Sequence, residues 1–310
     1  MAVLGIDTSN YTTSAALYES DCDALRMEKK LLPVREGAVG LRQSDAVFAH
    51  VKQLDQMVSA LFDGCHPAIE AVGVSTQPRR AEGSYMPCFL VGEMTARSIA
   101  AVLDVPLYPC SHQEGHIAAA AYSAGRMDLL DQPFYAFHVS GGTTDLLLVE
   151  PDQTHILHIT LLGSSLDLKA GQAVDRIGRM LGLAFPAGPA LDELARQWSD
   201  SIRVRASVDG LDCHLSGIEN QCRKLLDEGR ESAYIARYCI ESIKAALAAM
   251  TERVCAQYGH KPLLYAGGVM ANSIIRQDFT ERFHGCFAEP AFSSDNACGV
   301  ALLAAKRNQN

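Results

Sequence analysis

Two stretches of this chain follow the same short plan: an apolar run, a small polar turn, and a second β-like run. Ala2 to Ile6 enters Asp7-Thr8-Ser9-Asn10 and continues as Thr12 to Tyr18. Phe134 to Val139 enters Ser140-Gly141-Gly142-Thr143-Thr144-Asp145 and continues as Leu146 to Val149. Short apolar segments broken by Gly, Ser, Asn and Asp read as β-hairpins. Both runs at 134–149 are hydrophobic enough to lie in a core. The paired glycines remove two Cβ atoms and allow positive φ, so backbone N–H groups can approach an anion. Thr143, Thr144 and Asp145 add hydroxyls and a carboxylate able to hold a metal-phosphate or a water. Asp7 stands at the end of the first strand, where a carboxylate can position a metal or a water. An ordinary polar hairpin turn also accounts for each stretch. A third glycine site, Pro262 to Asn272 (PLLYAGGVMAN), places Gly267-Gly268 between a strand and a helix, predicting free N–H groups at a helix N-terminus.

At 310 residues the chain is long for a single core, and two lobes are expected. The apolar runs are too short to span a bilayer, and the opening MAVLGIDTSNYTTSAAL has no basic stretch and turns polar at Asp7, unlike a secretory leader. Ten cysteines are scattered without a C-x-x-C pair and read as reduced thiols in a cytoplasmic protein. Net charge is −9, so no global field favours nucleic acid, and an RNA partner would need a local basic patch or a second subunit. The candidate patches are Arg35 to Arg42 and Arg79-Arg80.

Helical spacing of Val47, Val51, Leu54, Val58 and Leu61 predicts an amphipathic helix over 43–62, after an irregular excursion at 26–41. Strands are expected at 69–75, 105–108 and 154–162, and helices at 90–103, 190–198, from 214–218 onward, and at 235–257. The segment Ser111-His112-Gln113-Glu114-Gly115-His116 carries a plausible N-cap at Ser111 and two histidines at i and i+4. One helical turn apart on one face, two imidazoles can share a divalent metal. Glu114 is two residues from each and points roughly 200° away on a helix, so it is badly placed as the base of a zincin-type peptidase. Further on, Gly171 and Asp175 share a helix face. A glycine within a helix costs about 1 kcal/mol against alanine and marks a close approach, by a ribose or phosphate or by a neighbouring element. Asp295 opens the last helix, where it could serve as an N-cap.

Two strand-turn-strand units and a late strand-GlyGly-helix predict a duplicated α/β chain closing on nucleotide in a cleft. The layout resembles the two-lobed actin, hsp70 and sugar-kinase (ASKHA) fold with duplicated RNase H-like domains. More closely, the chain resembles the TsaD/Gcp family, the tRNA threonylcarbamoyladenosine transferases formerly described as O-sialoglycoprotein endopeptidases. The resemblance runs nearly end to end: GIDTS at 5–9, SHQEGH at 111–116, VSGGTTDL at 139–146, LDLKAGQAVDRIGRMLGL at 166–183, FPAGP at 185–189, LSGI at 215–218, AGGVMAN at 266–272 and SDNA at 294–297. It implies a first lobe of 1–131 with 295–310 and a second of 132–294. It implies His112, His116 and Asp295 as metal ligands, with iron, zinc or magnesium as the divalent metal. Ser140, Gly141, Gly142 and Thr143 match the phosphate-side loop, Asp167, Gly171 and Asp175 the ribose side, and Gly267, Gly268 and Asn272 the nucleotide side. The candidate catalytic residues are Asp7, Ser9 and Asp145. The cofactor implied is ATP or an acyl-adenylate, the acceptor tRNA, and the protein partner a TsaB-like subunit or a second copy through the first lobe. No membrane partner is expected.

The sequence also departs from the family. An acidic pair after the first turn is replaced by Tyr11 and Thr12, and a G-P-G-rich loop by Gln77 to Gly83. Thr143 and Asp145 stand for histidine and glutamine, and Gln172 for glutamate. Nucleotide and metal positions are kept while acceptor-side positions change, the pattern of a divergent paralogue. The leading expectation is an ATP- and metal-dependent threonylcarbamoyl transferase acting on tRNA. The alternatives are carbamoyl transfer to another acceptor, or a nucleotide-binding regulatory or scaffolding paralogue.

Overall fold

The computed structural model describes residues 1–9, 11–33 and 41–309. In chain order the elements begin with β1 (Ala2–Ser9), β2 (Thr12–Glu19), β3 (Ala24–Leu31), α1 (Gln43–Leu61), β4 (Ile69–Gln77), α2 (Phe89–Leu103), β5 (Leu107–Ser111) and α3 (His112–Ser123). They continue with β6 (Phe134–Val139), β7 (Thr144–Asp152), β8 (Ile156–Ser164), α4 (Ala170–Met180), α5 (Gly188–Arg196), β9 (Val208–Asp209), β10 (Asp212–Cys213), α6 (Ser216–Asp227) and α7 (Ser232–Tyr258). The chain ends with β11 (Leu263–Ala266), α8 (Ser273–Phe283), β12 (Cys286–Phe287) and α9 (Cys298–Gln309). Two compact units result: Met1–Leu130 with Asp152–His158 and Ser294–Asn310, and Asp131–Pro151 with Ile159–Ser293. No described helix is long and apolar enough to cross a membrane.

Each unit is built on a five-stranded sheet, ordered β3-β2-β1-β4-β5 in the first and β8-β7-β6-β11-β12 in the second. The two orders are the same: a hairpin and a third strand on one side, two later strands on the other. In both, the hairpin is antiparallel (Ile6 opposite Ala15, Phe137 opposite Leu146), and the next strand joins parallel (β1 with β4, β6 with β11). Parallel pairing requires a crossover, which α1 supplies before β4 and the helices α4 to α7 supply before β11. The repeated hairpin plan is thus the seed of two sheets of one topology. The second core stacks Phe137, Tyr265 and Phe287, ring centroids 5.2 and 5.1 Å apart, with the Tyr265 hydroxyl 3.1 Å from that of Thr251.

The excursion expected at 26–41 is in its first part the strand β3. Its alternating charges (Arg26, Glu28, Lys30) suit an edge strand, where one side of the ladder meets water. Val34 to Gly40, with Arg35 of the proposed basic patch, lies outside the described residues. In α1 the helix is where spacing predicts it, and Val47, Leu54, Val58 and Leu61 lie in or against the core as expected. Leu54 and Leu61 are buried and Val51 is 56% exposed, while Ala46, Ala49, His50 and Gln53 turn inward. Small alanines let the helix approach the sheet, and Thr13 bonds both inward polar side chains, while His50 Nε2 is buried without a hydrogen-bond partner. Thr13 Oγ1 donates to Gln53 Oε1 at 3.0 Å and accepts from His50 Nδ1–H at 2.8 Å.

Burial pushes the His50 imidazole down to about 4, only partly opposed by the Asp7 carboxylate. Between pH 6.5 and 4 the unfolded chain therefore takes up a proton that the folded chain refuses. Stability present above pH 6.5 is lost as pH falls toward 4, by up to about 3 kcal/mol. Urea denaturation of wild type and His50→Gln at pH 7.5 and 4.5 should show a flatter pH dependence in the variant; equal slopes would remove His50 as the cause.

Candidate functional site

In the first unit, β5 runs directly into α3, and Ser111 closes the strand and caps the helix. The cap leaves His112 at the first helical position and His116 one turn on. The C-terminal end of β1 brings Asp7 beneath them. Asp7 is fully buried and accepts from Ser9 Oγ at 2.6 Å, from Ser75 Oγ, and from His112 Nδ1–H at 3.1 Å. A carboxylate on Nδ1 fixes the tautomer and leaves Nε2 as the free donor. Asp295 arrives from the start of α9. Gly299 carries no side chain because a Cβ there would fall on the Gly115 carbonyl oxygen, so α9 can lie directly against α3. Capping at this end is done by Asn296, whose Oδ1 accepts from Cys298 N–H at 3.0 Å. Asp295, the candidate N-cap, is free of that duty and its Oδ1 reaches His112 Nε2 at 3.4 Å and His116 Nε2 at 3.3 Å.

The two Nε2 atoms are 2.9 Å apart. Donors on a tetrahedral metal with bonds of about 2.0–2.1 Å stand about 3.3 Å from one another, so a triangle with edges of 2.9, 3.3 and 3.4 Å fits a first-row divalent ion. Burial disfavours charge on His112, but Asp7 and Asp295 outweigh it and push the imidazole up to about 10. Burial likewise opposes charge on both carboxylates, and the histidines nonetheless hold Asp7 and Asp295 below the usual range. The site therefore concentrates negative charge that a cation relieves. Asp7 and Ser9, candidates for catalysis, are buried and bonded to each other, so the carboxylate acts on His112. Asp7→Asn should weaken metal binding by about 10- to 100-fold, measured by competition with a chelating dye; unchanged affinity would count against this orienting role.

In the second unit the three glycine segments meet at one loop. Ser140 N–H donates to Thr143 O at 2.7 Å, and Ser140 Oγ accepts from Gly142 and Thr143 N–H at 3.3 and 3.2 Å. Gly171 lies against this loop: a Cβ there would stand 2.5 Å from Gly141 N, and Gly171 N–H donates to Ser140 O at 3.1 Å. The close approach predicted at Gly171 is thus made by the chain's own backbone. Gly267, at φ +98°, leaves room for Val139, onto whose carbonyl a Cβ would fall. Asp145 stands opposite His138 in the β6–β7 register.

The other expected ligands of this unit carry structural bonds. Asp167 accepts from the N–H groups of Leu168 and Leu215 at 2.6 and 2.7 Å and from Ser216 Oγ at 2.5 Å, tying the start of α4 to that of α6. Asp175 accepts from Ala187 N–H at 2.9 Å. The helix expected straight after Gly267-Gly268 is interrupted: Gly268–Ala271 is a 3-10 turn, and α8 starts only at Ser273. Its N–H groups are not free, because Asn272 Oδ1 accepts from Ile274 and Ile275 at 3.1 Å each. Asn272 Nδ2 in turn donates to Asp192 Oδ1 at 2.8 Å. Gly268, Asn272 and Asp192 line a cavity of about 400 Å³ with Val174, Gly188 and Pro189. Ser75 and Asp192 escape sequence reasoning, since a lone serine in a strand and a lone aspartate in a helix carry no pattern.

Residues 39–302 match the TsaD family, described as tRNA N6-adenosine threonylcarbamoyltransferase. The chain belongs to the TsaD family. Two TsaD relatives named tRNA N6-adenosine threonylcarbamoyltransferase, from two strains of Thermus thermophilus, are 33% and 32% identical over 100% and 99% of this chain and 94% and 92% of their own. Among solved structures, full-length HypF in its phosphate- and nucleotide-bound form superposes with a TM-score of 0.59 at 13% identity, covering 99% of this chain and 55% of HypF. Component A of the Acidaminococcus fermentans (R)-2-hydroxyglutaryl-CoA dehydratase gives 0.55 at 13% identity over 100% of both chains. At such identities these likenesses concern the fold, and they agree with the two-lobed ASKHA architecture. In this TsaD chain, His112, His116 and Asp295 lie in one unit and the Ser140 loop in the other.

Proposed function

We propose that this TsaD-family chain transfers a threonylcarbamoyl group from its adenylate to N6 of adenosine in tRNA. The observation that carries the reading is the triad of His112, His116 and Asp295, assembled with metal-binding geometry in a chain that matches the family along nearly its whole length. In the reaction a C–N bond forms between N6 and the carbamoyl carbon, the bond from that carbon to AMP breaks, and N6 loses a proton. A divalent ion held by His112, His116 and Asp295 would supply Lewis acidity, fixing the phosphate and drawing charge off the departing AMP. Asp7, through His112 Nδ1, holds the imidazole with Nε2 turned to the ion. In the second unit, Ser140 keeps the Gly141-Gly142 loop in a compact turn that suits a phosphate, and the cavity beside Gly268 and Asn272 suits a nucleoside.

Incubating the protein and a TsaB-like partner with threonylcarbamoyl-adenylate and unmodified tRNA, then digesting the tRNA for mass spectrometry, tests the reading. Modified adenosine supports it; its absence, with intact adenylate binding, favours the nucleotide-binding regulatory paralogue. One observation favours that second reading: Thr12 Oγ1 stands 3.5 Å from Asp295 Oδ2, so a carboxylate of the family's acidic pair is missing beside the triad. ATP turnover without transfer would point to a different acceptor.

Exposed apolar side chains on α1 and α2 (Phe48, Val51, Leu90, Met94) give the first unit a face suited to a TsaB-like subunit or a second copy. Light scattering with and without such a subunit tests it, and a monomer in both would dispose of it. Of the Arg79-Arg80 patch proposed for RNA, Arg80 is engaged by Glu114 and Arg79 is exposed. Ten free cysteines suit a reducing, cytoplasmic setting.

A further inference from the structure

Two backbone donors in the first turn of α3, and that of its cap, are taken up within the chain. Ser111 Oγ accepts from Glu114 N–H at 3.2 Å, and Glu114 Oε2 accepts from Ser111 N–H at 2.6 Å. Gln113 N–H, a donor that a helix start leaves without an intrahelical partner, goes to the Pro78 carbonyl at 3.0 Å. Pro78 belongs to the segment after β4 that departs from the family pattern. Two residues on, Arg80 Nε donates to the same Glu114 Oε2 at 2.9 Å, and its terminal nitrogen donates to the Pro109 carbonyl at 3.3 Å. Glu114 is 1% exposed, and its Oε1 has no hydrogen-bond partner. A buried carboxylate so sparsely bonded is tolerated because a cation lies on it, and removing the cation leaves an uncompensated buried charge.

We propose that Arg80 is a positioning residue for the metal centre. Glu114 sits midway between His112 and His116 along their helix, and the preceding loop clamps this turn, Arg80 through Glu114 and the Pro78 carbonyl through Gln113 N–H. The clamp fixes the turn on which both imidazoles stand, and with it the separation of their Nε2 atoms. Losing Arg80 turns the Glu114 carboxylate toward water, opens the capping box and lets the first ligand drift relative to the second. Metal sites need their ligands held within about 0.5 Å, so a frayed first turn is read directly as lost affinity. The altered 77–83 loop is, on this account, a strap over the metal helix. The proposal rests on the metal reading of the triad.

The test is a Co2+ titration of the full chain, followed by the visible absorption of the bound ion. It compares wild type, Arg80→Ala, Arg80→Lys, Glu114→Gln and the Arg80→Ala/Glu114→Gln pair. Arg80→Ala should bind about 10-fold more weakly, with a changed band shape. Arg80→Lys returns a cation and should recover most of the affinity. Glu114→Gln removes the stranded charge, so the double variant should bind better than Arg80→Ala alone, a non-additivity that marks direct coupling. A lower melting temperature in Arg80→Ala with wild-type affinity and spectrum would mean that the pair serves the fold only, and would overturn the proposal. Should Arg80→Ala fail to fold, Arg80→Gln keeps part of the stem and a donor without the charge and carries the same expectation. No Co2+ binding by wild type is a separate failure, seen before any variant is compared; it overturns the metal reading and this proposal with it.

Discussion

Replacing His112 and His116 together by alanine is expected to weaken metal binding at least about 10³-fold and to remove whatever nucleotide binding depends on the metal. The loss of one outer partner of a ligand costs about 10- to 100-fold, and here two of three direct donors go, leaving Asp295 alone. The physical cost extends further. Asp7 would lose the imidazole that offsets its burial, and Asp295 both of its histidine neighbours. Breaking such buried pairs costs about 3–5 kcal/mol, so melting temperature should be followed alongside. The measurement is metal content by mass spectrometry with calorimetric titration of ATP and AMP into wild type and variant. Metal-dependent binding in wild type that vanishes in a folded variant supports the centre. Nucleotide bound equally by both would show that the triad plays no part in holding it.

The second large effect is expected at the glycines around the Ser140 loop. Gly267 has φ +98° and ψ 158°, a region open essentially to glycine alone, and a Cβ would also strike the Val139 carbonyl. Gly267→Ala should therefore cost about 3–5 kcal/mol, strain and overlap adding, a large share of the 5–15 kcal/mol typical of a folded protein. Gly171→Ala is a sharper probe. Alanine favours the helix by about 1 kcal/mol, yet its Cβ would press on Gly141 N at 2.5 Å. The overlapped atoms are backbone, which cannot give cheaply, so the overlap outweighs the helix gain: the denaturation midpoint should fall, and affinity for AMP should drop about 10-fold or more as the loop is pushed out of shape. A Gly267→Ala loss below about 1 kcal/mol, or Gly171→Ala with wild-type affinity, would contradict this account of the loop.

How much of this was legible along the chain follows from the range of the interactions. The hairpins at 2–18 and 134–149, the Ser111 cap and the one-turn spacing of His112 and His116 are local, set by residues within a few positions of one another. Gly171 announced a close approach, and Gly267-Gly268 a turn before a helix, but not that the group lying against both was the 139–141 backbone. Strand β3 was hidden because edge strands carry charge and so resemble loops. The face of α1 was legible at Val47, Leu54, Val58 and Leu61 but not at Val51, and packing added alanines and a bonded His50–Thr13–Gln53 set that a valine pattern does not reveal.

The lobes' repeated plan, the histidine pair and the glycine loops were therefore written into short stretches of residues. The centre itself was decided in three dimensions. Asp7, Ser75, His112 and Asp295 come together because β1, β4 and β5 align in parallel and α9 returns over α3 where Gly299 meets Gly115. Hydrophobic patterning states that an element will be buried, but burial is non-directional. Which distant carboxylate ends on which imidazole depends on close packing between elements hundreds of residues apart in the chain.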